Sequence, residues 1–139
     1  MRRRIIPDVV HDQDVLFLPA ESTVAEACRA MKQRHVGSVL VMEDERLCGI
    51  FTERDVVNRV VAVDLDPAKT PLASVMTRDP DTIEATSSPI EALRMMQDRG
   101  YRHLPVIAGE HVVGIVSRRD FLGDEKSRLE EETRYWQRI

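Results

Sequence analysis

The sequence predicts an α+β fold built from two pseudo-symmetric halves, and three observations carry that prediction. Offset by 65 residues, Val10–Val57 aligns with Val75–Leu122 without a gap, and 15 of the 48 aligned positions are identical. Each copy passes through the same order of signals: strand, helix, strand, strand, helix. The length of 139 residues suits one domain, since a chain of this size buries close to two thirds of its unfolded surface. Two copies at a period longer than that of solenoid repeats predict a single pseudo-symmetric domain rather than an array.

The elements follow in order. Met1-Arg2-Arg3-Arg4 reads as a solvated tail that can also touch a phosphate or an acidic lipid. Pro7, Asp8, His11, Asp12 and Asp14 break any apolar run behind it, so no secretion signal is expected. Val15–Leu18 is a short strand, ended by Pro19-Ala20-Glu21-Ser22. Thr23-Val24-Ala25-Glu26 is a capping box, in which the Thr hydroxyl and the Glu carboxylate satisfy orphan amides at a helix start. Val24, Ala27, Cys28 and Met31 form the apolar face of that helix, and His35 ends it, where a cation complements the dipole. Ser38–Met42 and Leu47–Thr52 form a hairpin, and Asp55–Val63 reads as a second helix with Val56, Val57, Val60 and Val61 on one side.

Asp64–Ala73, with Asp66-Pro67 and Thr70-Pro71, is the linker. The second copy repeats the capping device as Ser88-Pro89-Ile90-Glu91, with Pro89 at the first helical position and Ala92, Leu93 and Met96 on the apolar face. Leu104–Ile107 and Val112–Ser117 are its hairpin. Asp124–Ile139 is strongly charged, with Leu129, Trp136 and Ile139 as apolar points, and predicts a helix that packs on its own module or on a partner. The boundaries are therefore 8–63 for the first copy, 64–74 for the linker, 75–123 for the second copy and 124–139 for a helical tail.

Composition narrows the function. Twenty Lys+Arg against 24 Asp+Glu give a net charge of −4, which lacks the basic excess of a nucleic-acid binder. The six aromatic residues are too scattered for a base-stacking platform. No stretch reaches the roughly 18 uncharged apolar residues of a membrane span, so no membrane association and a cytoplasmic location are expected. Cys28 and Cys48 read as reduced core thiols, with no second Cys or His at metal spacing. His11, Asp12 and Asp14 are of metal-ligating types but read as a solvated lead-in, so no metal is expected. No nucleophile, base and oxyanion donor occur at recognisable spacing, so the chain is not read as an enzyme and no catalytic residue is assigned.

What both copies share is a turn. Gly49-Ile50-Phe51-Thr52-Glu53-Arg54-Asp55 and Gly114-Ile115-Val116-Ser117-Arg118-Arg119-Asp120 each carry a strand into a helix, with a hydroxyl three residues before a carboxylate. That arrangement suits a ribose phosphate: free amides and the hydroxyl meet phosphate, and the carboxylate accepts from the ribose diol. It equally suits a helix start in which Thr52 and Ser117 cap and Asp55 and Asp120 are first-turn charges.

The repeat, these turns, Val75-Met76-Thr77 ahead of the second copy and His103-Leu104-Pro105-Val106 on its strand resemble a tandem cystathionine β-synthase (CBS) domain pair, or Bateman module. The resemblance covers residues 8–123. It implies an adenosyl-nucleotide sensor with clefts between its halves, a regulatory homodimer acting on a downstream protein the sequence does not reveal, and no required cofactor. AMP is the first candidate ligand, before ATP, ADP, NAD or S-adenosylmethionine. Carried over by position, Asp55 and Asp120 hold ribose, Thr52 and Ser117 help to hold ribose or phosphate, and backbone near Leu104-Pro105 frames adenine with Met76-Thr77. The second copy is the better site: Arg102-His103 resembles the basic pair of nucleotide-binding members in reversed order, and Arg118 and Arg119 add positive charge. The first copy has Gly37-Ser38-Val39-Leu40 there instead, with Glu53 nearby and His11-Asp12 in place of Met76-Thr77. A homodimer is expected to cover helix faces such as Val56/Val60 and Leu93/Met96.

Overall fold

The computed structural model describes residues 3–10, 13–121 and 123–137. Arg2, His11, Asp12 and Ile139, which figure in the sequence reading, lie outside the described residues. The chain forms two compact units, one of residues 14–80 and one of residues 1–13 with 81–139.

In the unit 14–80, β1 (Phe17–Leu18) runs parallel to β2 (Ser38–Glu43), which pairs antiparallel with β3 (Arg46–Thr52), and β3 pairs antiparallel with β4 (Thr77–Arg78). Asp44 and Glu45 both adopt positive φ between β2 and β3, the requirement of a two-residue turn whose twist matches its strands. α1 (Val24–Arg34) lays Val24, Ala27 and Met31 into a core with Val39, Val41 and Phe51. Thr23 Oγ1 accepts from the Glu26 amide at 3.1 Å, so the threonine half of the expected capping box is present. α2 starts at Glu53–Asp55 and continues as the π-helical turn Val56–Val61. The segment 64–74, read as a linker, is stitched to the body of this unit: Leu72 and Ala73 donate to the carbonyls of Ser22 and Ala20 at 2.8 and 2.9 Å, and Leu72 is fully buried.

The other unit holds β5 (Ile83–Glu84) parallel to β6 (His103–Ala108), with β6 antiparallel to β7 (His111–Ser117). α3 (Pro89–Arg99) buries Ala92, Leu93 and Met96. Its start differs from the expected capping device: the Ser88 side chain makes no cap, and its hydroxyl is buried without a hydrogen-bond partner. Here the leading segment is Ile5–Val9, whose first two amides donate to the carbonyls of Ser87 and Ala85 at 2.9 and 3.1 Å. The identical pairs Ala20/Ala85 and Ser22/Ser87 thus accept matching bonds, from residues preceding the other copy. The packing units are offset from the sequence repeats, because each copy's leader folds onto the other copy's body.

After β7 the chain makes only a 3-10 turn, Arg118–Asp120. Phe121 is extended at φ −87°, ψ 146° and buried, and α4 (Gly123–Gln137) follows. The helix that is continuous in the first copy is therefore broken in the second, where a bulky aromatic side chain is drawn into the core. α4 packs on α3 of its own unit: Leu129 is buried, and Arg94 makes a two-pronged pair with Glu132 at 2.9 and 2.7 Å. Among the described residues no helix is long and apolar enough to cross a membrane.

Candidate functional site

Both hairpins deliver their turns in the same way. Thr52 lies opposite Ser38 and Ser117 opposite His103, and the next amides, of Glu53 and Arg118, donate to the carbonyls of Gly37 and Arg102 at 3.1 and 2.9 Å. With Thr52 and Ser117 extended, the chain turns so that the carboxylate three residues on folds back over the strand end. Asp55 Oδ2 accepts from the Thr52 amide at 2.9 Å and its hydroxyl at 3.2 Å; Asp120 Oδ2 accepts from the Ser117 amide at 2.7 Å and its hydroxyl at 3.1 Å. The capping role left open by the sequence is thus realised in both copies. One carboxylate oxygen serves the turn, and Oδ1 is left for something else.

What Oδ1 meets separates the copies. Asp55 Oδ1 faces Arg59 Nε at 3.6 Å, and the Asp55 side chain is only 15% exposed. Arg59 Nη1 also donates to the carbonyls of Val75 and Met76, both at 3.2 Å. Sixty-five residues on from Arg59 the sequence has Asp124, an acid. Asp120 is exposed, and among the described residues no ion pair reaches it.

In the unit 81–139, Arg102, His103, Ser117, Arg118, Arg119 and Asp120 gather at one end of the β6–β7 hairpin, with Leu104 and Pro105 buried behind it. Arg102, Arg118 and Arg119 are exposed. Because a three-residue 3-10 turn carries little dipole, charge on a bound phosphate would be met by these arginines rather than by a helix start. Met76 and Thr77 belong to the unit that carries Thr52 and Asp55. The Met76 side chain covers Gly49, where a Cβ would collide with the thioether, and Thr77 pairs with Ile50. Neither Arg59 nor Gln13, which sits at the edge of β7, was singled out from the sequence. The i, i+4 spacing of Asp55 and Arg59 was the available signal for the first.

A cavity of about 440 Å³ between α1 and the start of α2 brings Cys28, Lys32, His35 and Glu53 around Met31 and Val56. Burial pushes the Cys28 thiol up, which opposes thiolate chemistry there, and Cys48 is raised in the same way. Both cysteines are free and only partly buried, less enclosed than core thiols. Among the described residues no group of three or more His, Cys, Asp or Glu side chains is placed to hold a metal ion.

Comparison with known proteins places the chain. The CBS domain family matches residues 6–62 and again residues 72–125. The chain belongs to the CBS domain family. CBS domain-containing protein CBSCBSPB3 of Arabidopsis thaliana is 38% identical over 116 residues, covering 83% of this chain and 21% of its own length. An uncharacterised 17.7 kDa protein of Acidianus ambivalens is 38% identical over 100 residues, covering 70% of this chain and 59% of its own. The chain thus spans about a fifth of the length of the Arabidopsis CBSCBSPB relatives. Among solved structures, a putative signal-transduction protein with CBS domains from Burkholderia ambifaria superposes with a TM-score of 0.74 at 28% identity, over 76% of this chain and 78% of its own. The CBS domain protein PAE2072 from Pyrobaculum aerophilum, complexed with AMP, superposes with a TM-score of 0.81 at 24% identity, over 93% of this chain and 99% of its own. The mixed α/β architecture with two sheets is the CBS-pair fold.

Proposed function

We propose that this CBS pair is a regulatory module, not a catalyst, that binds an adenine nucleotide, AMP first among candidates, at the Ser117–Asp120 turn. The observation that carries the reading is the Asp120 carboxylate, exposed, oriented through Oδ2 by the Ser117 amide and hydroxyl, and keeping Oδ1 for a ribose hydroxyl. Arg102, Arg118 and Arg119 supply positive charge for phosphate, and backbone at Leu104–Pro105 lies beside the turn for the base. The fold neighbour from P. aerophilum holds AMP, which supports the same ligand class here. ATP, ADP, NAD and S-adenosylmethionine share the adenosine group and are the next ligands to compare. The nucleotide acts through its unequal affinity for alternative arrangements of the chain, altering dimer geometry or contacts with a downstream protein.

The chain is further read as a cytoplasmic homodimer. Val60, Leu93 and Met96, expected to need cover, are buried within their own units, whereas Val57 and Val61 are 59% and 62% exposed and offer the apolar surface for a second copy. Light scattering on the eluting protein reports the mass directly. A second reading, a ligand-free interaction module, is favoured by the capping boxes, which give both carboxylates a structural task. Thermal melts separate the two. A ligand at 100-fold its dissociation constant adds about 2.7 kcal/mol, a shift on the order of 5–15 °C at this size. No movement with millimolar AMP, ADP, ATP, NAD or S-adenosylmethionine would support the interaction module.

A further inference from the structure

We propose that Arg59 is a specificity-determining residue that closes the Asp55 carboxylate to a ribose diol and so restricts AMP to one site per chain, at Asp120. The inference rests on the nucleotide reading above and deepens it. The two turns are alike in every bond of their capping boxes, so the boxes cannot distinguish them. The difference lies one helical turn later. Arg59 stands beside Asp55 Oδ1, neutralising the oxygen that a ribose hydroxyl would need, and anchors its far nitrogen on the carbonyls of Val75 and Met76. A guanidinium held at three points is pre-organised, so little freedom is lost in keeping it there. An incoming diol would have to compete with a full charge for Oδ1, while offering only neutral hydroxyl donors. In the second copy Phe121 is extended, so no helix runs directly on from Asp120 to bring a cation back over it, and among the described residues no ion pair reaches its carboxylate.

Calorimetric titration of the full chain with AMP tests the assignment. The wild type is expected to bind one AMP per chain, and Asp55→Asn in the wild-type background to leave its affinity within twofold. Arg59→Met is expected to bind two, and Arg59→Met combined with Asp55→Asn to return to one. Arg59→Lys, which keeps a cation beside Asp55, should stay at one. Two AMP per wild-type chain overturns the assignment, as does a folded Arg59→Met protein that still binds one, while either result leaves the nucleotide reading intact. A tenfold or greater loss of affinity on Asp55→Asn in the wild type also overturns it, without relying on any Arg59 variant. Absence of AMP binding by the wild type overturns the nucleotide reading and this inference together.

Discussion

The Gln13 side-chain amide pairs with both backbone groups of Ile115: Nε2 donates to the carbonyl at 2.9 Å, and Oε1 accepts from the amide at 2.9 Å. In the first copy the same edge position, at Ile50, is filled by backbone of β4. A side chain thus substitutes for a strand on the edge of β7, and Gly114 leaves room for it, since a Cβ there would lie 2.6 Å from Gln13 Oε1. Gln13→Ala should release the Ile115 amide to faster hydrogen exchange and lower stability by about 1 kcal/mol, as two neutral, solvent-exposed hydrogen bonds are lost. An unchanged exchange rate at Ile115 would show that the pairing does not persist in solution.

Thr23→Ala and Ser88→Ala should move stability in opposite directions, although both replace a hydroxyl residue at a helix N-cap. Thr23 caps α1 through its side chain, so its loss should cost about 1 kcal/mol. Ser88 makes no such bond and buries an unsatisfied hydroxyl, so removing that hydroxyl should raise stability by about 1 kcal/mol. Urea melts of the two variants decide it, and a destabilised Ser88→Ala would mean that the hydroxyl is bonded after all.

At the C-terminal end of α1, His35 adopts φ 55°, the left-handed conformation that Gly100 adopts at φ 76° after α3. A side chain there costs about 1 kcal/mol relative to glycine. His35→Gly should therefore raise the melting temperature by a few degrees, and Gly100→His should lower it. A fall on His35→Gly would show that the imidazole makes a contact worth more than the strain.

Tyr101 gives the chain an alkaline limit. Its hydroxyl donates to Asp81 Oδ2 at 3.1 Å, and burial together with this bond and the Asp81 charge pushes the phenol up to about 12. The folded state therefore holds the phenol proton more tightly than the unfolded chain, and its stabilisation is complete below pH 10. It is lost as pH rises from 10 through about 12. Tyr101→Phe should flatten stability across that window while leaving the Arg99–Asp81 pair, at 2.8 Å, in place. An equally steep alkaline fall in the variant would assign the effect elsewhere.

If Asp120 accepts the ribose hydroxyls, AMP should bind about 10- to 150-fold more tightly than 2′-deoxy-AMP, the equivalent of one charge-assisted hydrogen bond. Asp120→Ala should erase most of that ratio. Were Asp120 only a cap, the variant would melt lower with the ratio of the two affinities unchanged.

Much of this was legible in the sequence because it is local or periodic. The apolar spacing of Val24, Ala27 and Met31, the proline at the start of α3 and the recurrence of Thr52-x-x-Asp55 as Ser117-x-x-Asp120 each report a few neighbouring residues, and repetition doubled every signal. The remainder depends on who meets whom in space. Nothing in Ser88-Pro89-Ile90-Glu91 says that the hydroxyl turns inward, and nothing near residue 70 says that Leu72 is buried against the first copy. At the site, the hydroxyl and carboxylate were readable, but the difference between the copies was sought in Gly37-Ser38 and Glu53. The structure adds Arg59, whose effect on Asp55 depends on the carbonyls of Val75 and Met76 that hold it.

The crossed leaders bear on how the chain can be cut. Leu72 and Ala73 complete the body of the first copy, and Ile5 and Ile6 complete that of the second, so the segments that recur are not the units that fold. A single copy excised with its own leader would carry an arm with no place on its own body, and two such molecules could satisfy each other only by trading arms, as domain-swapped dimers do. Carrying both copies on one chain makes that trade intramolecular and insensitive to dilution. Transplanting one copy with its leader into another pair would consequently graft a body into one half and an arm into the other.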